Sequence, residues 1–403
     1  MTINPGVIFM PFTRFHFLHL FFASILMGMV YLHYRYVRFL WPGWKGRLLI
    51  SLVLFSPVLA VFLSFSAQLR GKSGLGPEFL AWYAYLGLGF LSFLFFLVVL
   101  RDGIGMPCRF FFKIAGNSEA LAAVPFSNHV LVRHHMAYTL TLVALVLSLV
   151  GIYKAHKLPD VREQTLFVRD LPEDLQGFSI VQISDIHLGP TLKKPFLEKI
   201  VRRVNELKPD VVALTGDLVD GYVEHLEGDI KPLENIRSTY GNYFVTGNHE
   251  YYFRALEWID AVKRTGFTVL LNSHDLVEKG AGRVVVAGVP DLKAARFVPS
   301  HRSDPAAALA GAPESHVKIL LSHQPLTVEQ AERAGYHIQI SGHTHGGQMF
   351  PWNHVVVLNQ PFLAGFYRYQ ELQLYVSRGT GYWGPPMRLF APSEITRFVL
   401  RKA

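Results

Sequence analysis

The feature that most constrains this 403-residue chain is a set of four long apolar stretches within its first 153 residues. They contain no Lys, Arg, Asp or Glu, and they cover residues 15–32, 48–66, 79–100 and 137–153. A helix of roughly 20 residues crosses the hydrocarbon core of a bilayer, and these stretches are of that size. We therefore predict four transmembrane helices in residues 1–153 and a globular domain in residues 154–403.

The charge of the chain is divided unevenly between these two parts. The first 152 residues hold 11 Lys or Arg and three Asp or Glu, whereas the remainder holds 28 and 27. The net charge of +9 therefore belongs mainly to the apolar part, where it is typical of loops at a membrane surface rather than of a nucleic-acid groove. We expect a membrane as partner and no nucleic acid, and the sequence indicates no particular protein partner.

The basic residues between the apolar stretches predict an orientation in the membrane. The positive-inside rule places the loops that are richer in Lys and Arg in the cytoplasm. The richer side holds Arg35, Arg38, Lys45, Arg47, Arg101, Arg109, Lys113 and Arg133, and the other side holds Arg14, Arg70, Lys72, Lys154 and Lys157. We expect a multi-pass protein of the cell membrane whose globular domain faces away from the cytoplasm.

The pattern of apolar residues changes after residue 153. Apolar residues recur at helical spacing over 197–207 and 256–262. Between and beyond these segments lie short β-branched runs that are typical of buried strands, at 179–183, 211–214, 243–245, 317–321 and 338–340. Strands that alternate with helices predict an α/β domain.

Each of the five predicted strands is followed by residues of the types that bind metal ions in proteins. Candidate ligands are Asp185, His187, Asp217, Asn248, His323, His343 and His345. Because the carboxyl ends of strands open onto the ligand crevice of an α/β sheet, we expect these side chains to lie close together. Buried carboxylates and imidazoles need a partner, and a divalent cation would provide one.

The number of candidates favours two metal ions over one. Seven side chains exceed the four to six ligands of a single ion, and a bridging Asp217 would give each of two ions about four protein ligands. The mixture of nitrogen and oxygen donors suits Mn, Fe or Zn. The absence of thiolate argues against a closed structural zinc site.

The order of these motifs resembles the calcineurin-like metallophosphoesterase superfamily, and in particular its membrane-anchored, phosphodiesterase-type members. The likeness covers residues 177–388 and consists of Asp-x-His, Gly-Asp, Gly-Asn-His-Glu, His and Gly-His-x-His in this order. It implies an α/β fold in the form of a four-layer α/β/β/α sandwich that follows the transmembrane region. It also implies a dinuclear metal centre at the strand ends.

The resemblance further implies a role for each candidate residue. One ion would be held by Asp185, His187, Asp217 and His345, and the other by Asp217, Asn248, His323 and His343. His249 would donate a proton or a hydrogen bond to the reacting phosphoryl group, and Asp220 would orient His249.

Chemistry and one departure from the family pattern narrow the reaction. Two cations lower the pKa of a shared water, so we expect metal-bound hydroxide to attack phosphorus in line, without a phosphoenzyme. Protein phosphatases of the superfamily carry Arg where this chain has Gly221, and that Arg holds a dianionic monoester with two hydrogen bonds. Its absence favours a diester or pyrophosphate substrate over a monoester, and we expect a phosphodiesterase. Four helices exceed what an anchor requires, which suggests a lipid-linked phosphoester substrate.

Two other functions stay open at this stage. One is cleavage of UDP-diacylglucosamine in lipid A synthesis, which needs a cytoplasmic active site and so conflicts with the predicted orientation. The other is a transporter or receptor with an accessory hydrolase, although the four stretches lack the ionisable residues of an ion path. The sequence also leaves Arg388 open as either a phosphate ligand or a surface arginine.

Overall fold

The computed structural model describes residues 24–41, 43–71, 74–116 and 130–403. Within these ranges the chain separates into two compact units. The larger unit takes in 66–78 and 152–403, and the smaller one takes in the rest up to residue 151. The division between residues 153 and 154 that the sequence suggests stays a prediction.

The smaller unit is built from apolar helices. Its helical segments are α1 (24–40, with a π-helical turn at His33–Val37), α2 (Trp44–Leu69), α3 (Leu75–Ile114) and α4 (Val130–His156). Among the described residues, α2, α3 and α4 are long and apolar enough to cross a membrane. Half of the first apolar stretch, residues 15–23, lies outside the described residues, so three candidate spans stand where the sequence predicts four.

The first part of the loop predicted after the third apolar stretch is helical instead. Helix α3 continues to Ile114 and includes Arg101, Asp102 and Arg109. The carboxylate of Asp102 is buried and accepts hydrogen bonds from Nε of Arg35, at 2.6 Å, and Nε of Arg101, at 2.9 Å. Because this buried charge is paired, the helix extends past the end of the apolar run without leaving an isolated ion in the bundle.

The larger unit contains two six-stranded sheets with helices packed on them. Its strands are β1 (Asp160–Val168), β2 (Ser179–Ile183), β3 (Val211–Leu214), β4 (Gly241–Phe244), β5 (Thr268–Val269), β6 (Ser273–Lys279), β7 (Gly282–Gly288), β8 (Val317–Leu321), β9 (Ile338–Ser341), β10 (Gly365–Tyr369), β11 (Leu372–Val376) and β12 (Glu394–Lys402). Its helices are α5 (Lys194–Glu206), α6 (Val223–Ile230), α7 (Asn248–Tyr252), α8 (Ala255–Arg264), α9 (Pro305–Leu309), α10 (Val328–Arg333) and α11 (Trp352–Val356). The α/β class predicted from the sequence is therefore confirmed.

The two sheets share a largely parallel design. The first has the order β1-β12-β2-β3-β4-β5, in which only β12 and β2 pair antiparallel. The second has the order β10-β11-β9-β8-β7-β6, with antiparallel pairs only at its two edges. As a result, the carboxyl ends of β2, β3 and β4 lie at one edge of their sheet, and those of β8 and β9 lie together in the other.

Apolar side chains of both sheets form one common core. Phe398 of β12 and Tyr375 of β11 meet there edge to face, with ring centroids 5.1 Å apart. On their other faces the first sheet packs against α5, α6 and α8, and the second against α9 and α10. This packing fixes the sheets against each other, so the loops that follow their strands keep defined positions.

We expect the Phe398→Ala variant to lower the free energy of unfolding of the larger unit by about 3–5 kcal/mol, because it leaves a cavity between the sheets. Phe398 is fully buried, whereas Phe167 in β1 keeps 52% of its surface exposed. Phe167→Ala should therefore cost less than about 1 kcal/mol. Urea unfolding of the full-length protein in detergent measures both values, and equal losses would contradict the common core.

Candidate metal centre

The candidate ligands lie shortly after strands of both sheets, in loops or, for Asn248, at the first residue of α7. Strands β2, β3 and β4 of the first sheet lead to Asp185, His187, Asp217 and Asn248, and strands β8 and β9 of the second lead to His323, His343 and His345. Six of the seven are buried, and His343 is partly buried. The structure therefore brings together side chains that are up to 160 positions apart in the chain.

Five of these residues have an unusual backbone. Positive φ angles between 50° and 75° occur at Asp185, His187, Asp217, His343 and His345. This left-handed region is sparsely populated by residues other than glycine and costs on the order of 1–3 kcal/mol for each residue. Such strain persists only where the surroundings hold it, and it is concentrated here at the strand ends.

Two glycines make the close approach of the loops possible. A Cβ atom on Gly247 would lie 2.2 Å from Oδ1 of Asp217, and one on Gly342 would lie 2.2 Å from Oδ2 of Asp185. No other residue type fits at such distances without moving a carboxylate. The loops after β3 and β4, and those after β2 and β9, therefore touch through glycine.

The side chains form three overlapping groups with ligand atoms within 4.8 Å of one another. The groups are Asp185, His187 and His345; His187, Asp217 and His249; and Asp217, His323 and His343. The carboxylate of Asp217 joins two of them, since its Oδ2 lies 3.1 Å from Nε2 of His323 and 3.8 Å from Nε2 of His187. Its position between the two ends of the cluster is what a bridging ligand requires.

Asn248 contributes a polar atom without a partner. Its Oδ1 is buried and accepts no hydrogen bond from the described residues. An unsatisfied buried acceptor costs about 1–3 kcal/mol, so this amide oxygen is poised to receive a ligand. An amide oxygen is also a suitable donor for a divalent cation.

Hydrogen bonds on the far side of the imidazoles set their orientation. Nδ1 of His323 donates to the carbonyl of Thr215 at 2.8 Å, and Nδ1 of His187 donates to the carboxylate of Asp220 at 3.0 Å. Both rings thus turn Nε2 towards the cluster. Burial lowers the pKa of His343 and His345 well below the ordinary value, so these rings are neutral, the form that binds metals.

His249 has a different environment. Its Nδ1 lies 2.6 Å from Oδ1 of Asp220, the residue expected to orient it. Burial lowers the pKa of His249, but the facing carboxylates of Asp217 and Asp220 outweigh it and raise the pKa to about 9. The ring is therefore held in the form that carries a proton at Nε2. The second contact of Asp220, to His187, was not foreseen from the sequence.

Glu250 is a residue whose role the sequence motif did not reveal. Its buried carboxylate accepts backbone hydrogen bonds from Gly247 at 2.6 Å, Leu218 at 2.8 Å and Asp217 at 3.1 Å. Glu250 thereby joins the loops after β3 and β4 at the start of α7. The available signal was the spacing Gly-x-x-Glu at the start of a helix, which is that of a capping box.

Arg388 is not a surface arginine, and the surface interpretation was wrong. It is fully buried, and its guanidinium donates to the carbonyls of Arg378, Gly381 and Ala391 at distances between 2.6 and 2.8 Å. These bonds use Nε, Nη1 and Nη2 within the loop between β11 and β12, so the phosphate-ligand interpretation has no support. A buried cation is retained here because it gathers carbonyl groups that have no strand partners.

Comparisons with known proteins agree with this geometry. Residues 178–347 match the family model described as calcineurin-like phosphoesterase. The chain is 34% identical over 409 residues to a transmembrane protein with metallophosphoesterase domain from Danio rerio, with 97% of this chain and 90% of the relative covered. A protein of the same description from Bos taurus is 37% identical over 339 residues, covering 81% and 75% of the two chains.

A bacterial relative has the same domain. An uncharacterised metallophosphoesterase from Campylobacter jejuni is 38% identical over 265 residues, covering 64% of this chain and 68% of the relative. Together with the clustered carboxylate and imidazole groups, these similarities identify the chemistry of the larger unit. The chain belongs to the calcineurin-like metallophosphoesterase family and is a metal-dependent phosphoester hydrolase with transmembrane helices.

Proposed function

We propose that this protein is a dinuclear-metal phosphodiesterase that acts on a lipid-linked substrate at a membrane. The observation that carries the proposal is the position of the Asp217 carboxylate between two groups of ligand atoms. A single shared carboxylate with imidazoles on both sides matches a pair of ions better than one ion. The unpartnered Oδ1 of Asn248 supports the same assignment.

The residues present fit two ions. One would be held by Asp185, His187, Asp217 and His345, and the other by Asp217, Asn248, His323 and His343. Burial tends to raise the pKa of Asp217, but the imidazoles of His323 and His249 draw it well below the ordinary value, so this carboxylate is charged. A buried carboxylate with imidazole nitrogens and an amide oxygen around it is the donor set that Mn, Fe or Zn binds.

The chain's own residues supply positioning and a proton. When bound, the ions would make an attacking water available near neutral pH and neutralise charge on the phosphoryl oxygens. Asp220 holds His249 through Nδ1, which leaves the proton on Nε2 directed away from Asp220. We assign to His249 the transfer of this proton to the departing alkoxide, a contribution of about 10²–10⁴-fold in rate.

Gly221 favours a diester over a monoester. This position has no side chain to grip a second phosphate oxygen, and its carbonyl accepts a hydrogen bond from Nε1 of Trp258 at 2.9 Å. A monoester dianion needs such a grip more than a diester, which carries one negative charge. The site therefore suits a phosphate with two ester bonds.

Further features belong to the same proposal. The four-layer α/β/β/α order is supported by the core between the sheets and by the helices on their other faces. A multi-pass arrangement in which the larger unit faces away from the cytoplasm is supported by the distribution of Lys and Arg along the sequence.

We expect the full-length protein to hydrolyse bis(p-nitrophenyl) phosphate with a higher kcat/KM than p-nitrophenyl phosphate. Chelation should abolish both activities, and Mn should restore them, because the carboxylate and imidazole cluster has no other means to activate water. Release of p-nitrophenolate measures both rates. A preference for the monoester would contradict the assignment of a diesterase.

The Asp217→Asn variant should lose activity by about 10²–10³-fold or more, because an amide is a poor bridge between two cations. It should also bind fewer than two metal ions per chain, as measured by elemental analysis. Asp260→Asn is the matched control, since Asp260 is an exposed residue of α8. Full activity and full metal content in the Asp217 variant would remove the bridging role.

The His249→Gln variant tests proton donation through the leaving group. We expect kcat for an alkyl diester such as glycerophosphoglycerol to fall by about 10²–10⁴-fold. The fall should be far smaller for bis(p-nitrophenyl) phosphate, because p-nitrophenolate departs without a proton. Metal content should be unchanged, and an equal loss on both substrates would argue against a proton donor.

A further inference from the structure

Five large apolar side chains are exposed beside the candidate metal centre. They lie in the segment after β9 and in the loop before β12, and their exposed fractions run from 42% to 79%. We call the set the apolar lip, and it consists of Phe350, Val355, Leu358, Trp383 and Phe390. Contiguous exposed apolar residues of this kind mark a surface that contacts something other than water.

Hydrogen bonds and a ring contact fix the positions of three members of the apolar lip, Phe350, Trp383 and Phe390. The side chain of Gln348 bonds the backbone N–H and carbonyl of Trp383, both at 2.9 Å. The ring centroids of Phe350 and Phe390 lie 5.8 Å apart. The ring of Trp383 lies 5.8 Å from that of His249, so the apolar lip borders the proposed proton donor.

Phe390 is both strained and exposed. Its φ angle is 59°, in the left-handed region, and 79% of its surface is exposed. An aromatic residue gains little stability from either condition, and Asn would fit this backbone better. A strained residue that contributes little burial to the fold points to a role outside folding.

The apolar lip carries no exposed charge. The chain has no Asp, Glu, Lys or Arg between Arg333 and Arg368, and between Arg378 and Glu394 it has only Arg388, which is buried. The rim of a protein interface is usually polar and charged. The interfacial layer of a bilayer penalises charge and accepts Trp and Phe, so the composition favours lipid as the occupant.

In the first sheet, the strand order places the metal centre at the same end of the strands as the point where the chain enters the larger unit. Helix α4, a candidate span, ends at His156, and β1 begins at Asp160, which pairs with Glu394 at the start of β12. Because β12 runs antiparallel to β2, Glu394 lies at the end of β2 that leads to Asp185. The start of β1 and the candidate metal centre therefore lie at the same end of the strands.

A direct contact leads to the same placement. The hydroxyl of Tyr382, the neighbour of Trp383, lies 3.5 Å from Nε2 of His156, and the two rings are 5.5 Å apart. Both residues belong to the larger compact unit. The loop that carries part of the apolar lip thus reaches the last residue of α4, which is where a spanning helix would leave the bilayer.

We propose that the apolar lip inserts into the interfacial layer of the bilayer and holds the metal centre over lipid headgroups. The phosphodiester that reacts is then that of a membrane lipid whose hydrocarbon chain stays in the bilayer. The choice of substrate rests on the proposed phosphodiesterase activity, whereas the contact with lipid does not.

Lipid contact is tested by site-directed labelling of the full-length protein in nanodiscs of phosphatidylcholine. In a Cys108→Ser background, bimane is attached to Phe390→Cys, and Phe167→Cys serves as the matched control. Phe167 lies seven residues along β1 from Asp160, about 23 Å from the entry edge at roughly 3.3 Å per residue. Brominated phosphatidylcholine should quench the label at position 390 and leave the label at position 167 unchanged.

Substrate choice is tested with two diesters that share a leaving group. Hexadecyl p-nitrophenyl phosphate in vesicles should be cleaved with a kcat/KM at least about tenfold above that of methyl p-nitrophenyl phosphate, since burying one aromatic ring is worth about that factor. Phe390→Asn should reduce this preference and leave hydrolysis of the methyl ester unchanged. Phe167→Asn should change neither.

The outcomes separate the two proposals. Absence of quenching at position 390, or equal quenching at both positions, overturns the lipid contact, and so does coverage of the label by a second copy of the chain. A preference for the hexadecyl ester that Phe390→Asn leaves intact also overturns it. Quenching at position 390 alone, without hydrolysis of either diester, supports the lipid contact and rejects the proposed phosphodiesterase.

Discussion

The buried carboxylate of Asp217 is the constraint around which the larger unit is organised. Removal from water disfavours its charge, and the imidazoles of His323 and His249 restore it. A charge kept in this way needs partners from both sheets, because β3 supplies the carboxylate and β8 supplies His323. The carboxyl ends of β3 and β8 must therefore lie close together, and the core between the two sheets provides the stability that holds them there.

Bringing these groups together at the strand ends costs free energy in the form of backbone strain. Backbone strain is concentrated at Asp185, Asp217 and three histidines, where side chains must point back into the cluster. Glu250 offsets part of that cost, since its carboxylate binds backbone N–H groups that the strained loops leave without strand partners. Arg388 has a similar role, because its buried guanidinium donates hydrogen bonds to carbonyls of the loop between β11 and β12.

The strand order of the first sheet determines where the candidate metal centre lies relative to the start of β1. The final strand, β12, inserts between β1 and β2, so the strand that follows α4 starts at the edge where the ligands lie. An arrangement with β12 parallel to β2 would have put the entry of the chain and the metal centre at opposite edges. The exposed apolar surface at this end of the strands is the basis for the proposal that the substrate is a membrane lipid.

The sequence alone determined the candidate ligands, the α/β class and the main strands, because strand-end motifs and β-branched runs are local patterns. The bounds of β2, β3 and β8 follow the apolar runs of the sequence. Only the tertiary structure decided that the ligands come from two sheets, that Asp220 orients His187 as well as His249, and that Arg388 is buried. These features depend on pairs of residues up to 160 positions apart, and chain packing rather than local pattern brings such residues into contact.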